Sequence, residues 1–575
     1  MYLRTTSRTN KDGSVVRYLA LAHNEKVDGS ARAKVLLNLG REDRLDQDGL
    51  RRLVSSLSRY LGDPDPYADP DADPVAGLTV SSSRQLGGVH LLDGLWHQLG
   101  IDRALRELLG ERRFTTDVER VLFSLVANRA LDPGSKRAAV DWAVHDAAIT
   151  GITELSDDQA YRAMDLLVEA DATAGVQEAV FFSVANLLNL HVDVILFDTT
   201  STYFEADPDV AEDGTAGFRR YGHSKDHRPD LPQVIIGLAV TKEGIPVRVW
   251  CWPGNASDAT VLPEVRDGMR GWNLGRVITV VDRGFSSQEN LDYLNKGGGQ
   301  WIAGMKMRDK SANAATVLSR PGRYTEVDEH LRVKEVQMEQ ATPGVRWVVC
   351  HNSAEATKDA ASRQHAIDYL TGELDRIATA RARTQKQLSS ATTDKAKKRL
   401  RDELAGHTRA ECALRDHKTL RRWLRQTGTG RLVIDKKAVA AEAKLDGKYL
   451  LSTSDAHLSP ADIALGYKNL LKAERGFRDM KTGLLLRPVF HRLEPRIKAH
   501  VLICWLALLL TRVAEERTGQ TWATISSHLS RLAAVTLTGK HGTVVQSTDP
   551  TDKQRALLAA CQVPPPPRIT TLTPL

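Results

Sequence analysis

The chain has 575 residues, which is too long for one hydrophobic core, so the sequence predicts several domains. Its net charge of +7 favours a polyanionic partner such as nucleic acid, although an enzyme that is merely basic stays open. The five cysteines are scattered without any Cys-x-x-Cys spacing, which argues against a disulfide framework and favours reduced thiols in a cytoplasmic protein.

No segment of the sequence predicts insertion into a membrane. The N-terminus lacks the apolar core of a signal peptide. The longest apolar run, residues 501–510, is bounded by His500 and Arg512 and has about half the length that a bilayer span needs. We expect this run to be a helix buried in the protein core.

The first 88 residues predict a small domain and a linker. Residues 1–62 contain β-prone pieces at 15–21 and 33–39, separated by Asp-Gly and Gly-Arg turns and followed by one amphipathic helix. Residues 63–88 are predicted to be a linker, because their first part alternates Asp, Pro and Ala with almost nothing to bury.

Residues 89–190 have helical periodicity. Apolar residues recur at spacings of three and four, and arginines and lysines are interspersed among them. This pattern predicts several short helices. They could form a DNA-binding domain, or equally an ordinary helical packing domain.

Strand and helix signals alternate in residues 191–306. Residues 192–197 and 277–281 are buried-type strands, and residues 234–240 and 247–252 flank a Lys-Glu-Gly turn as a hairpin. Helices are predicted at 261–269 and 288–294, with a last strand at 301–305. The order is similar to the ribonuclease H-like α/β fold, in which acids after the first and fourth strands converge with one on a later helix.

The later helix lies nearly two hundred residues on, so we predict that another domain interrupts the catalytic fold. This inserted α+β domain would span residues 307–455, with strands at 331–338, 345–350, 432–434 and 449–452. Its charged stretch at 360–424 predicts a helical hairpin that is either solvated or a DNA-gripping arm. Residues 456–515 would complete the catalytic domain. A C-terminal region, residues 516–575, would begin with a helix at 522–535.

Three carboxylates are candidates for a two-metal phosphoryl-transfer site. Asp198 and Asp282 each follow an apolar strand, and Glu474 has Tyr467 and Lys481 seven residues to either side. Seven residues are close to two helical turns, so these three side chains are predicted to share one helix face. Oxygen ligands of this kind select Mg²⁺ or Mn²⁺. A lone Asp after a strand is more often a turn former or a helix cap.

Several motifs carry a resemblance to a known family. They are Asp-Thr-Thr-Ser-Thr-Tyr-Phe from Asp198, Gly-His-Ser-Lys-Asp-His-Arg-Pro-Asp-Leu-Pro-Gln from Gly222, Pro-Gly-Asn-Ala-Ser-Asp from Pro253, Val-Asp-Arg-Gly-Phe from Val281, and residues 467–481 with Leu-Arg-Pro-Val-Phe-His after them. Together they resemble bacterial insertion-sequence transposases of the insertion-sequence-four superfamily. The signature of that superfamily is Tyr-x2-Arg-x3-Glu-x6-Lys.

The resemblance implies a Mg²⁺-dependent DNA transposase, with Mn²⁺ as a substitute ion and Asp198, Asp282 and Glu474 as catalytic metal ligands. It also implies that Tyr467 and Lys481 contact the backbone of the transposon end. The signature Arg falls on Leu470, and Arg478, one turn beyond Glu474, could supply the guanidinium instead.

The basic loop at residues 223–230 adds Lys225 and Arg228 as candidate DNA contacts, although a solvated loop is an equal alternative. The partner implied is double-stranded DNA, bound by a homodimer because two ends must be cut in concert. Two other functions stay open at this point: a nuclease of the same fold that cuts without joining, and a catalytically inactive DNA-binding regulator.

Overall fold

The structure is a computed structural model, and it describes residues 1–27, 30–67, 78–109, 117–190, 192–209, 217–272, 274, 277–308, 312–338, 344–539 and 542–574. The chain divides into two compact units. The first comprises Met1–Val80 with Leu537–Thr543 and Thr573–Leu575, and the second comprises Ser81–Thr536 with Val544–Leu572. Helices and strands alternate along the chain, so the protein is a mixed α/β, multidomain protein.

The first unit contains the strands and the helix that the sequence predicts. Its antiparallel sheet has the order β1-β2-β3, and α1 follows the sheet. Asp46 caps the start of α1 by accepting a hydrogen bond from the Gly49 amide, and Gly62 ends the helix in the left-handed conformation. The elements are β1 (Tyr2–Thr9), β2 (Val15–Val27), β3 (Ser30–Arg41) and α1 (Gln47–Leu61).

The predicted linker at 63–88 needs correction. Residues 68–77 lie outside the described residues, but the end of the segment is ordered as strand β4 (Thr79–Gln85), and α2 already begins at Gly87. The sequence of β4 is rich in Ser and shows no alternation of apolar and polar residues. It forms a strand because it pairs with β16, which is distant in sequence.

The described part of the predicted helical region forms six helices, of which α2, α4 and α6 pack against a later one. Helix α4 is buried on every side, including the polar residues Glu119 and Asn128. It packs with α6 against α16 (Glu494–Thr518), in one shared apolar cluster. The helices are α2 (Gly87–Gln98), α3 (Ile101–Leu109), α4 (Val118–Leu131), α5 (Lys136–His145), α6 (Asp157–Ala174) and α7 (Val176–Leu187).

Helix α16 is the predicted core helix. It is long and apolar enough to cross a membrane, yet 94% of its most apolar window is buried inside the protein. A helix that is apolar all round must be covered on all sides, and α4 and α6 provide that cover.

Five strands and two helices follow in the predicted order. The strands β9-β8-β5-β6-β7 are neighbours, with β8 parallel to both β5 and β9 and β6 antiparallel to β5 and β7. Val194 pairs with Ile278, which confirms the predicted contact between these strands. The elements are β5 (Val194–Tyr203), β6 (Gln233–Thr241), β7 (Pro246–Pro253), α8 (Asp258–Arg270), β8 (Ile278–Val281), α9 (Gln288–Asn295) and β9 (Gln300–Met305).

The strands expected in a separate inserted domain instead extend this same sheet. Its full order is β10-β11-β12-β15-β9-β8-β5-β6-β7. The free edge of β9 would expose unpaired backbone groups, and antiparallel pairing with β15 satisfies them. The added elements are α10 (Ala312–Ser319), β10 (Thr325–Glu326), β11 (Leu331–Val336), β12 (Arg346–Asn352) and β15 (Lys448–Thr453).

A helical hairpin projects between β12 and β15. Its two helices are held near the base by Leu370, Ile377, Leu414 and Trp423, together with a small two-stranded sheet. The elements are α11 (Ser353–Ser390), α12 (Asp394–Asp416), β13 (Leu424–Gln426), β14 (Leu432–Ile434) and α13 (Lys436–Ala443).

The helix predicted to carry Tyr467, Glu474 and Lys481 on one face is interrupted. Tyr467 lies on α14 (Pro460–Lys468), whereas Glu474 and Lys481 lie on α15 (Leu471–Thr482). The two helices are separated by Asn469 and Leu470, which keep right-handed helical backbone angles with ψ of −14° and −24°. The three side chains therefore do not lie on one continuous helix.

The helix predicted at 522–535 is also shorter than expected. Helix α17 ends at Leu529, and the residues after Leu532 enter a sheet of order β18-β17-β16-β4. The β-branched residues of this stretch fit a pleated strand. The remaining elements are α17 (Trp522–Leu529), β16 (Ala533–Gly539), β17 (Gly542–Ser547), α18 (Asp552–Ala560) and β18 (Ile569–Pro574).

Candidate active site

Asp198 and Asp282 lie side by side just beyond the parallel pairing of β5 with β8. That pairing ends at Phe197 and Val281, so the next residues are Asp198, which lies within β5, and Asp282, which directly follows β8. Burial raises the pKa of Asp198 to about 7; Lys225 opposes the shift, and the charges of Asp282 and Asp258 add to it. The strand order thus brings together two acids that are far apart in sequence.

Asp258 is a third acid at this position, and sequence reasoning missed it. The hydroxyl of Thr199 donates to Asp258 Oδ1 at 2.5 Å, so Asp258 is anchored to the residue after Asp198. Asp258 closes the Pro-Gly-Asn-Ala-Ser-Asp motif at the first turn of α8, where an acid normally serves the helix start. The motif was the only sequence feature that could have indicated a role for Asp258. However, an Asp at the start of a helix needs no functional explanation.

Lys225 faces these acids rather than solvent. Its ammonium donates to both carboxylate oxygens of Asp258 at 3.2 Å, to the hydroxyl of Thr199 at 2.5 Å and to the Thr199 carbonyl at 3.0 Å. The Lys225 amide donates to Ser201 Oγ at 2.9 Å, which ties the loop to β5. Lys225 thus pairs with the acid cluster, and its predicted contact with DNA stays a prediction.

Tyr467 is likewise turned toward the acids. Its phenol donates to Asp282 Oδ1 at 2.6 Å, and burial together with the Asp282 charge raises the pKa of Tyr467. A Cβ at Gly304 would clash with the phenol oxygen, so this glycine makes room for the ring. The side chain of Tyr449 stacks on the ring.

Lys481 is mostly buried, in a cluster of polar side chains that adjoins the acids around Asp198. Its ammonium donates to Thr200 Oγ1 at 2.7 Å and to Asp226 Oδ1 at 2.8 Å. Arg487 approaches the other oxygen of Asp226 at 3.0 Å. Burial lowers the pKa of Lys481, and Asp226 opposes that shift. The sequence indicated an aspartate-containing loop at 223–230, but it did not predict that Asp226 pairs with Lys481.

Glu474 remains exposed on α15. The buried side of the helix, including Ala473 and Phe477, packs against β5 and β6. Among the residues that the structure describes, none donates a hydrogen bond to the Glu474 carboxylate. Arg478, one turn further on, is exposed beside it.

The remaining candidate DNA contact, Arg228, and the position of the missing signature Arg lie in different surroundings. Arg228 pairs with Asp230 at 2.8 Å and lies over the ring of Tyr203. Leu470, where the superfamily signature has Arg, is only 5% exposed and packs in the main apolar cluster. The Leu470 side chain therefore faces the core.

Comparison with known proteins shows the family of the chain. The transposase DDE domain family matches residues 193–510, which is more than half of the chain. The chain belongs to this family. The N-terminal domain family of IS1634 family transposases matches residues 3–70. The protein is therefore an insertion-sequence DDE transposase, and it binds DNA.

Individual proteins resemble the chain only weakly. No curated protein matches it. Among solved structures, the chain is similar to a piggyBac transposase in a synaptic complex with hairpin DNA, with 9% identity, coverage of 76% of each chain and a TM-score of 0.33. A similarity at this TM-score does not establish a shared fold.

DDE transposase domains depend on divalent metal ions, and the donor set of this transposase fits such an ion in part. Asp198 and Asp282 offer the carboxylate oxygens that hard cations prefer, and a cation between them would relieve the repulsion that helps to raise the pKa of Asp198. Within the described ranges no group of three His, Cys, Asp or Glu side chains is close enough to hold an ion. The two aspartates offer part of such a donor set.

Proposed function

We propose that this transposase cuts the terminal inverted repeats of its own element and transfers the freed 3′ ends into target DNA, as in cut-and-paste transposition. Asp198, Asp282 and Glu474 are its catalytic metal ligands. The observation that carries the assignment is the placement of Asp198 beside Asp282, one residue beyond the last pair of β5 and β8.

A ribonuclease H-like catalytic core is part of this proposal. The strand order β7-β6-β5-β8-β9, with β6 alone antiparallel to its neighbours, supports it. In this arrangement the helix that follows the extra strands must return across the sheet to deliver Glu474. Helix α15 packs against β5 and β6, which supports that path.

The assigned ion is Mg²⁺, with Mn²⁺ as a substitute, held by Asp198 and Asp282 and completed by Glu474. When bound, it would activate water and stabilise the leaving 3′ oxygen. The chain's own residues prepare the site. Tyr467 fixes the orientation of Asp282, while Asp258 holds the Lys225 ammonium near Asp198, where its charge favours the ionised carboxylate.

DNA contacts next to the acids are assigned to Arg478, Lys481 and Arg228. Arg478 is exposed beside Glu474, so its guanidinium is free to meet a phosphate. Lys481 and Arg228 already pair with Asp226 and Asp230, so binding a phosphate would require them to share or exchange those partners.

Membership of the insertion-sequence-four superfamily is a further part of the proposal. It rests on the spacing of Tyr467, Glu474 and Lys481, which agrees with the signature although Leu470 does not. Cytoplasmic location, with the protein bound to DNA in the nucleoid, follows from this function.

A homodimer on DNA completes the proposed function, because two transposon ends must be processed together. The apolar stripe of α1 supports it. Leu53 and Leu57 are each 51% exposed, and with Leu50 and Tyr60 they repeat at the spacing by which two helices can pack. Sedimentation of the protein with and without terminal-repeat duplex would measure the stoichiometry.

The test is a nicking and joining assay on a labelled duplex that carries the inverted repeats found beside the gene. Asp198→Asn, Asp282→Asn and Glu474→Gln should each abolish Mg²⁺-dependent cleavage, while end binding stays within a few-fold, because binding rests on basic side chains. Asp193→Asn is the matched control, an exposed aspartate just before the same strand.

Near wild-type cleavage by any of the three variants would remove that residue from the site. Cleavage without joining of the labelled end into a plasmid would show a nuclease rather than a cut-and-paste transposase. Absence of cleavage by wild type in both Mg²⁺ and Mn²⁺ would leave only a DNA-binding regulator.

A further inference from the structure

The far end of the helical hairpin carries most of the net charge of the protein. Residues 383–402, here called the hairpin tip, contain seven lysines and arginines against two aspartates, whereas the whole chain has a net charge of +7. The cations are Arg383, Lys386, Lys395, Lys397, Lys398, Arg399 and Arg401. So strong a local excess of one sign has to be stabilised by solvent or by a polyanion.

None of these seven cations pairs with an acid in the part of the chain that the structure describes. Nearer the base of the same hairpin the pattern is different, because Arg363 pairs with Asp446, Arg376 with Glu373 and Arg381 with Glu411. At the base, paired and unpaired cations occur together, because Lys418, Arg421, Arg425 and Arg431 pair with no acid among the described residues either. The tip differs in that all of its cations are unpaired and follow one another closely in sequence.

The tip cations point away from the seam between the helices. Leu400 is buried against α11, and Thr384 on α11 donates to Glu403 at 3.0 Å, so one side of α12 is occupied by helix packing. Lys395, Lys398, Arg399 and Arg401 lie on the remaining sides and are exposed. The tip is therefore an exposed, positively charged helix end. It has no exposed large apolar side chain of the kind that a protein partner would bury.

The hairpin leaves the sheet at the same edge as the catalytic acids. Strand β12 is antiparallel to β15, which is antiparallel to β9, so β12 runs in the direction of β8 and β5. Helix α11 begins directly after β12, as Asp282 follows directly after β8. Three strand spacings separate these two strands, which is about 14 Å.

The length of α11 sets how far the tip stands from the sheet. Its 38 residues extend about 57 Å at 1.5 Å per residue. That length corresponds to about 17 base pairs of B-form DNA at 3.4 Å each. A duplex lying across the catalytic edge can therefore be met by the tip only at a place remote from the cut.

We propose that the hairpin tip is a second duplex-binding surface, which holds the phosphate backbone of DNA away from the scissile phosphodiester and independently of base sequence. This inference rests on the proposed function, because it assumes that DNA lies along the catalytic edge. Lysine and arginine side chains on a convex knob bind phosphates, and they read no sequence unless they enter a groove.

The experiment compares two full-length variants with equal changes of charge. The tip variant replaces Lys395, Lys398, Arg399 and Arg401 by Gln, and the base variant replaces the exposed cations Lys418, Arg421, Arg425 and Arg431 by Gln. Binding to a 60-base-pair terminal-repeat duplex and to an unrelated duplex is measured across a range of salt concentration. Circular dichroism and thermal melting verify the fold of both variants.

The slope of log affinity against log salt should fall by about 0.9 for each phosphate that is no longer neutralised, hence by about 2 to 4 for the tip variant on both duplexes. The base variant should change the slope by less than about 1. Hydroxyl-radical footprinting should show a protected patch remote from the cleavage position, and this patch should be absent with the tip variant. An unchanged slope, or equal reductions in the two variants, would overturn the proposal and leave the tip as a solvated helix end.

The salt-dependence test of the hairpin tip does not depend on whether the protein cleaves DNA. If wild type binds DNA but does not cut it, the proposed function fails while the salt slopes still decide whether the tip binds. If wild type cuts DNA and the tip variant binds with the wild-type slope and footprint, the function stands and the tip proposal fails.

Discussion

The phenol of Tyr467 donates a hydrogen bond to the carboxylate of Asp282 at 2.6 Å, across 185 residues of sequence. The side chain that the superfamily signature would place on the DNA backbone thus orients an acid of the candidate active site. Tyr467 lies on α14 and reaches the end of β8, whereas Glu474 lies on the exposed side of α15.

Tyr467→Phe should lower the cleavage rate about tenfold or more, since a hydrogen bond to a charged group contributes about 1.5 to 3 kcal/mol. The salt dependence of end binding should stay the same, because the number of neutralised phosphates does not change. Single-turnover cleavage and salt titration measure the two effects. Tyr369→Phe, an exposed tyrosine on α11, is the control. A reduced salt slope with an unchanged cleavage rate would instead assign Tyr467 to the DNA backbone.

Asp258→Asn should reduce cleavage about 10- to 100-fold while end binding is retained. The change frees Lys225 from its carboxylate partner and weakens the anchor of Thr199 beside Asp198, at a cost of about 1.5 to 3 kcal/mol for a charged hydrogen bond. Asp267→Asn on the same helix is the matched control, because its partner Tyr293 lies outside the acid cluster. Equal cleavage rates for the two variants would make Asp258 an ordinary first-turn acid of α8.

Arg478→Ala should weaken end binding and reduce the salt slope by about 0.9, which corresponds to one phosphate. The reason is that Arg478 is the exposed guanidinium next to Glu474. Lys472→Ala, on another side of α15 near Gly244, should have a smaller effect. If wild type and Arg478→Ala have the same slope, the DNA end is held by other residues.

Leu470→Arg should destabilise the protein by about 3 kcal/mol or more, although it restores the superfamily signature. Leu470 is 5% exposed in the apolar core, so the substitution removes packing and buries a charge without a partner. Thermal or urea unfolding measures the change in stability. Leu471→Arg, at the next and exposed position, should be nearly neutral. Equal stability of both variants would show that position 470 can turn outward.

Acid should destabilise the protein through a buried group of basic side chains. His491 is 8% exposed, and burial, with Lys136 and Arg496, lowers its pKa to about 3 from 6.5. Between these pH values the unfolded chain binds a proton at His491 that the folded chain does not. The free energy of unfolding should therefore fall as pH drops below 6.5, by about 1.4 kcal/mol per pH unit for this residue.

His491→Gln should reduce that pH dependence, even if it also lowers stability at neutral pH because the ring no longer packs against Tyr161. His500 packs against His491 and also has a lowered pKa, so some dependence should remain. Urea unfolding at several pH values between about 5 and 7 gives the slope. His365→Gln, an exposed control on α11, should leave it unchanged. Identical slopes for the two variants would contradict the assignment.

The sequence by itself determined the elements of the catalytic sheet and two members of its site. The short, β-branched apolar runs before Asp198 and Asp282 are typical of buried strands, and parallel neighbours run toward the same edge of a sheet. That periodicity and the motifs around it were sufficient to place both acids. They were also sufficient to predict α16 as a core helix, because residues 501–510 are apolar on every side.

Only the tertiary structure decided which partners the remaining polar residues take. In the sequence, Asp226 looks like an ordinary loop residue and Asp258 like an ordinary first-turn residue of a helix. No sequence pattern shows that Asp226 pairs with Lys481 or that Asp258 pairs with Lys225. The extension of the sheet beyond β9 could not be predicted either, because the sequence of a strand does not show which sheet edge the strand joins. Pairing across long stretches of chain depends on packing in three dimensions, whereas periodicity reports only which face of an element is buried.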